Sequence, residues 1–334
     1  MNSCRPDIQH RVFNYLQFLQ PAADRLSQSP ANDFRGVWID VLTPIDKEFN
    51  IHEPLLKNHL RNLSAKGFEK FVLFGHGGEG AYFSSEEKLS TLQKVIAEGV
   101  APSNLCLGVC TSAVPDAVNL ISKAYERGVR HFLVAPPVLF HPLASSGITA
   151  FFTQVINKIH QPDWHLFIHQ LGNISEAPEN SIVDLLQSHP NTLAGIVDQS
   201  VHINNTMDLI RSFGSHLKVI PTHETNFKLL KPNTVISIMA NLIPDDLSHL
   251  LHGDMPAQVT KIVGMKVKQP DEKFAELEKY IANYPPIPAM KLMLSQFYRQ
   301  SDWENVRPPQ VHLDNDGKEA IMKAFKAFNS SPNR

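Results

Sequence analysis

Phe71-Val72-Leu73-Phe74-Gly75-His76-Gly77-Gly78-Glu79, followed by Ser84-Ser85-Glu86-Glu87, is the stretch on which the fold of this chain turns. Four apolar residues end at a glycine-rich turn. A serine with a glutamate three residues later then marks a helix N-terminus, because each side chain can satisfy a backbone N–H that the first helical turn leaves open. A strand leading through a short turn into a helix is a βα unit, and the same alternation recurs on both sides. The first strand is expected at residues 37–42 and its helix at roughly 53–66, while the helix after the glycine-rich turn extends to Val100. Further strands are expected at 105–109, 131–134, 165–168, 193–197, 217–220 and 235–238. With the stretch at 71–74 the count is eight, each followed by a helix-compatible segment, which predicts a closed (β/α)8 TIM barrel in preference to an open doubly wound sheet.

The rest of the chain frames that barrel. Residues 1–33 read as an N-terminal extension, with Val12, Phe13, Leu16 and Leu19 at helical spacing before the polar loop Ser27-Gln28-Ser29-Pro30. Residues 34–250 form the barrel, and 251–334 a C-terminal helical subdomain with candidate helices near 273–282, 288–298 and 318–328. A length of 334 residues with 43% hydrophobic content suits one α/β barrel with additions. The 31 Lys and Arg against 33 Asp and Glu are mixed along the chain, so no basic stripe suggests a nucleic-acid partner. Cys4, Cys106 and Cys110 show no metal-type pairing and fit a reducing compartment. With no long apolar run and no signal-peptide pattern, the chain is expected to be cytoplasmic and not to engage membranes.

Several motifs lie in order along the chain. Gly36-Val37 precedes Leu42-Thr43-Pro44, then Gly75-x-x-Gly78-Glu79, then Ser84-x-Glu86-Glu87. Pro136-Pro137 with Pro142, Gly195-Ile196-x-Asp198, and Val235-Ile236-Ser237-x-x-Ala240-Asn241-x-x-Pro244 continue the pattern, as do Ile287-Pro288-x-x-Lys291 and Arg307-Pro308-Pro309. From about Phe34 to Phe328 the chain resembles the pyruvate-dependent class I aldolases grouped with dihydrodipicolinate synthase and N-acetylneuraminate lyase. The resemblance implies a TIM barrel, a small carboxylate or 2-oxo acid substrate, self-association into homo-oligomers and no cofactor. It also implies a lysine at the end of the sixth strand that forms a Schiff base with the 2-oxo acid.

This sequence departs from that pattern at its chemical centre. Val197 stands at the lysine position, and no lysine occurs between Lys158 and Lys218. His169 stands where the family's proton-relaying tyrosine is expected, His76-Gly77 replace a threonine pair, and Leu139 and Ile174 fall where a partner tyrosine and an arginine belong. A shifted register does not restore these groups, since no tyrosine lies between Tyr125 and Tyr280 and no arginine between Arg130 and Arg211. Lys218, early in the seventh strand, sits at the wrong end of a barrel for catalysis.

The glycine-rich turn remains, and the resemblance assigns its backbone amides to a substrate carboxylate beside a helix N-terminus. Gly75, His76, Gly77, His169, Asp198 and His223 are therefore the candidate ligand-binding residues, and Glu79 is expected to brace the turn. His76, His141, His169 and His223 all fall at or just past strand C-termini, with Asp198, Glu79 and Glu224 nearby. His76, His169 and His223 are the candidates for a zinc ion that would stabilise an enolate, although no metal is the preferred reading. His165 and His169 lie along one strand, where four residues span roughly 13 Å, too far to share an ion. Cys110 reads as an inert cysteine. The sequence thus points to a noncatalytic relative that binds a small carboxylate or a partner. The alternative is a lyase or aldolase with histidine-based or metal-assisted chemistry on a 2-oxo acid.

Overall fold

The computed structural model describes residues 33–139, 142–172, 174–252 and 270–329. The expected N-terminal helix and His141 lie outside these residues. Eight parallel strands run in the order β7-β6-β5-β4-β3-β2-β1-β8. They are β1 (Gly36–Asp40), β2 (Phe71–Leu73), β3 (Leu105–Val109), β4 (His131–Val134), β5 (His165–Gln170), β6 (Leu193–Asp198), β7 (Lys218–Pro221) and β8 (Thr234–Ser237). β1 pairs with β8, and β7 lies beside β8 without a described ladder between them, giving a nearly closed TIM barrel.

Helices α1 (Glu53–Ala65), α2 (Ser85–Ala97), α3 (Val114–Glu126), α4 (Ser145–Lys158), α5 (Glu179–Ser188), α6 (Ile203–Phe213) and α7 (Glu224–Leu230) follow the first seven strands. After β8 come α8 (Pro244–His252), α9 (Pro270–Ile281), α10 (Pro286–Tyr298) and α11 (Asn315–Asn329). The last three begin two or three residues before the sequence expectation. Proline fits the first turn of α9 and α10, where a missing N–H costs nothing, and the Gly317 N–H donates to the Asp314 carboxylate at 2.7 Å to open α11. At α2 the expected reciprocal cap is present between Ser84 and Glu87.

Alternation along the strands divides the core in two. Trp38, Val72, Cys106, Leu133, Phe167, Val197, Ile220 and Ile236 fill the barrel interior, while their neighbours in sequence pack outward against the helices. The base is closed by Phe34, which stacks on Trp38 at 3.9 Å and lies 4.3 Å from Phe167. Full burial of each such ring contributes on the order of 2–3 kcal/mol. Lys218 donates to the Phe34 carbonyl at 2.8 Å and Lys70 to the Arg35 carbonyl at 2.8 Å, so both amines serve the base of the barrel.

Asn241 ties β8 to β1. Its Oδ1 accepts from the Leu42 N–H at 3.1 Å, and its Nδ2 donates to the carbonyls of Asp40 at 2.8 Å and Ile238 at 2.6 Å. His59 of α1 contacts the same Oδ1 at 2.8 Å through Nε2, and Tyr298 Oη at 2.8 Å through Nδ1. Burial pulls the His59 pKa down to about 4, so the neutral ring donates to Asn241 and accepts from Tyr298. Among the described residues no helix is long and apolar enough to cross a membrane.

Candidate functional site

The mouth of the barrel, at the C-terminal ends of the strands, holds a cavity of about 390 Å³. Asp40, His76, His169, Thr222, His223 and Glu224 supply polar wall. Val197, Ile238 and Met290 are among the apolar lining, and Glu278, Ile281 and Tyr284 reach it from α9 and the turn after it. No lysine or arginine lines it among the described residues.

Asp40 is the residue that organises the glycine-rich turn. The Gly77 N–H donates to its Oδ2 at 2.8 Å and the Gly78 N–H to its Oδ1 at 3.3 Å. A Cβ built on Gly75 would lie 2.4 Å from the same carboxylate, so only glycine lets the chain pass this close. Gly108 on β3 faces the Phe74 carbonyl in the same way, with a Cβ-to-oxygen distance of 1.8 Å. Phe74 and Glu79 adopt left-handed backbone angles, φ 58° and 57°, without being glycine, so the turn is strained at both ends. Phe74 leaves the ladder here, which is why β2 ends one residue earlier than the sequence suggested.

The amides that the resemblance assigns to a substrate carboxylate therefore serve a carboxylate of the protein itself. Of the candidate cradle residues Gly75, His76 and Gly77, the Gly77 amide is engaged by Asp40, together with that of Gly78. Burial pushes the Asp40 pKa up to about 7, against the lowering effect of the turn amides of Gly77, Gly78 and His76.

Two more carboxylates at the mouth are engaged similarly. Glu224 accepts from the Ser237 hydroxyl at 2.5 Å and from the Met239 N–H at 3.0 Å, and burial raises its pKa. Asp198 accepts from the Ser200 N–H at 3.1 Å, the Ser200 hydroxyl at 2.7 Å and the Thr206 hydroxyl at 2.6 Å. It fastens the β6 end to α6 and is not part of the cavity wall, so the structure separates it from the other candidates.

His76, His169 and His223 all line the cavity, as the sequence placed them. His169 is 1% exposed, and its Nδ1 has no hydrogen-bond partner. Burial, with a smaller contribution from His76, pulls its pKa down to about 3, and burial lowers that of His76 as well. Both rings are neutral at physiological pH. His223 Nδ1 lies 3.1 Å from Glu278 Oε1. Among the described residues no three His, Cys, Asp or Glu side chains are grouped to hold a metal ion, so the three histidines share a wall without forming a ligand set. Burial also raises the Cys110 and Cys106 thiol pKa values, which leaves neither activated.

Glu79 turns away from the cavity and pairs with Lys291 of α10, both side chains wholly buried. The expected bracing role thus has a partner that the sequence did not reveal. Of the groups missed, Asp40 carried a local signal, a charge two residues beyond Trp38 on the inward face of an apolar strand. Tyr284 and Glu278 carried none, because helices remote in sequence bring them to the mouth.

The Asp40 titration has a stability consequence. The folded pKa, about 7, lies above the ordinary 3.8, so the folded state keeps a proton that the unfolded chain loses. Stability from this group falls as pH rises from about 4 to about 7 and is flat beyond. In Asp40→Asn the difference in unfolding free energy from the parent should therefore shift in favour of the variant by on the order of 4 kcal/mol between pH 4 and pH 8. Chemical denaturation of both proteins across that range measures it, and a pH-independent difference would remove Asp40 from the titrating set.

A nearly closed (β/α)8 barrel with a cavity at the C-terminal ends of its strands defines the class as a TIM barrel, and the comparisons narrow it. Residues 33–328 match the model of the dihydrodipicolinate synthetase family, and the chain belongs to that family. It is 27% identical over 244 residues to a 4-hydroxy-tetrahydrodipicolinate synthase of Leptospira biflexa, covering 67% of this chain and 77% of that protein. It is 26% identical over 182 residues to an uncharacterized DapA-like lyase of Chloroflexus aurantiacus, covering 54% of this chain and 60% of that one. The structure of dihydrodipicolinate synthase from Agrobacterium tumefaciens superposes with a TM-score of 0.77 at 24% identity, covering 88% of this chain and 99% of that one. The sialic acid aldolase of Ruminococcus gnavus gives 0.75 at 17% identity, covering 90% and 98%.

Proposed function

We propose that this family member binds a small molecule at the barrel mouth and does not carry out imine chemistry on a 2-oxo acid. The observation that carries the reading is the absence, among the described residues, of any lysine from the cavity wall, with Val197 at the sixth-strand end where the family resemblance expects the amine. The buried or half-buried lysines are committed elsewhere. Lys218 serves the Phe34 carbonyl at the base, Lys291 pairs with Glu79, and Lys88 donates to the Gly108 carbonyl at 3.3 Å. Loss of the relay tyrosine fits the same reading, since His169 is held neutral by burial. Exposed Val138, Leu139, Ile174 and Val201 on the loops around the mouth support self-association, and the cysteine pattern favours the cytoplasm.

A second reading is favoured by the position of Asp40 in the cavity wall, where burial pushes its pKa up to about 7, since such a carboxyl group is suited to general acid–base catalysis. In that reading Asp40 and the neutral His169 would support a lyase reaction without an imine.

Intact mass after incubation with pyruvate and borohydride, with a competent family enzyme labelled in parallel, tests the principal reading. The expected result is an unmodified chain. A covalent adduct would show that another lysine forms the imine, and the proposal would fall.

A further inference from the structure

We propose that the outer groove between α6 and α7 takes residues 12–19 of this chain's own N-terminal extension, laid along it as an amphipathic helix. The groove lies on the side of the barrel towards its base, so what covers it does not depend on the chemistry at the mouth.

The groove has a volume of about 660 Å³ and opens over the seam between β7 and β8, where no ladder is described. Ile210, Leu217, Val219 and Leu230 supply apolar wall. Val219, the outward residue of β7, is only half-buried, whereas Phe132, Ile168 and Ile196 at outward positions of β4, β5 and β6 are wholly buried. α6 buries two of its 11 residues, Thr206 and Phe213, where α4 and α5 bury five each. Ile203 and Met207 are half-buried and Ile210 is 41% exposed, and their spacing of four and three places all three on one stripe. On α7, Leu229 beside the groove-lining Leu230 is 75% exposed. A contiguous apolar face of this kind marks an interaction site.

The chain itself delivers the occupant. Its N-terminal extension enters the described structure at Asp33, at the foot of this groove: Arg35 lines it, and so does Lys218, whose amine donates to the Phe34 carbonyl at 2.8 Å. Val12, Phe13, Leu16 and Leu19 repeat at helical spacing, so a helix over them has one apolar face. At about 12 Å such a helix is too short to persist without a partner. Residues 12–19 contain no charged side chain, so docking draws no ionised group out of water. Residues 20–32, between that stretch and Asp33, span up to roughly 40 Å when extended, more than enough to lay it back along the groove. Tethering presents the segment at an effective concentration on the order of 1 mM, whereas a second copy competes only at the concentration of the protein itself.

Hydrogen exchange on the full chain, read by mass spectrometry at micromolar concentration, tests the contact from both sides. Phe13→Asp with Leu16→Asp should speed amide exchange in α6 and α7 by at least about tenfold and leave α1–α5 unchanged, because only the covered helices lose a partner. Ile210→Asp should in turn speed exchange across residues 10–20, and Phe13→Met with Leu16→Met should keep the protection of the parent. In the parent, protection of α6 and α7 should stay constant over about a hundredfold range of protein concentration, as an intramolecular contact requires. Unchanged exchange in α6 and α7 on the aspartate substitutions, an increase spread over α1–α5 as well, or residues 10–20 insensitive to Ile210→Asp would each overturn the proposal. Protection that grows with protein concentration would give the groove to a second copy and overturn it too.

Discussion

Val197→Lys alone should give little or no borohydride-trapped pyruvate adduct, whereas Val197→Lys combined with Asp40→Ala should give at least about tenfold more. Two effects separate the variants. In the single variant a new amine in the buried mouth faces the Asp40 carboxylate, which favours the protonated, non-nucleophilic form. The same carboxylate still holds the N–H groups of Gly77 and Gly78, leaving the pyruvate carboxylate without its docking site. Removing Asp40 frees the amides and takes away the charge that keeps the amine protonated. A tenfold difference is about 1.4 kcal/mol, well within what one buried charge interaction supplies. Mass spectrometry of the two variants at matched pyruvate decides the matter. Equal labelling would show that Asp40 does not block the turn.

Lys291→Met should destabilise the protein by roughly 3–5 kcal/mol, because it leaves Glu79 as a buried charge without a partner. For a chain of this size that corresponds to a fall in Tm of about 4–7 °C. Burial disfavours the charged form of both residues, and their attraction offsets that cost only while both are present. The double variant Glu79→Gln, Lys291→Met should therefore recover a large part of the loss. Thermal unfolding of the three proteins checks it, and a double variant as unstable as the single would place the cost in packing of α10 and not in the orphaned charge.

How much of this was legible in the sequence depends on the range of the interaction involved. The βα alternation around Phe71–Leu73 and the Ser84–Glu87 cap are local patterns, and both are present as read. The histidines at strand ends also follow from position alone, since a residue just past the end of a barrel strand has to lie at the mouth. What each side chain touches there did not follow. His223 meets Glu278, Glu79 meets Lys291, and Asn241 meets His59 and Leu42, in every case across a long stretch of chain. The glycine-rich turn is the instructive case. The resemblance assigns its backbone amides to a substrate carboxylate, and in the structure those of Gly77 and Gly78 meet Asp40, a residue whose isolated charge in an apolar strand is visible in the sequence but whose target is not.

The stack of Phe34 on Trp38 at the base has a kinetic meaning. With that end stoppered, the barrel is a cul-de-sac, and an arriving molecule and the water it displaces must pass each other through one doorway. Exchange is then governed by the loops and helices around the rim, including the turn that carries Tyr284. Substitutions there should change residence time more than affinity, while changes at the stopper should leave traffic untouched and register only as lost stability.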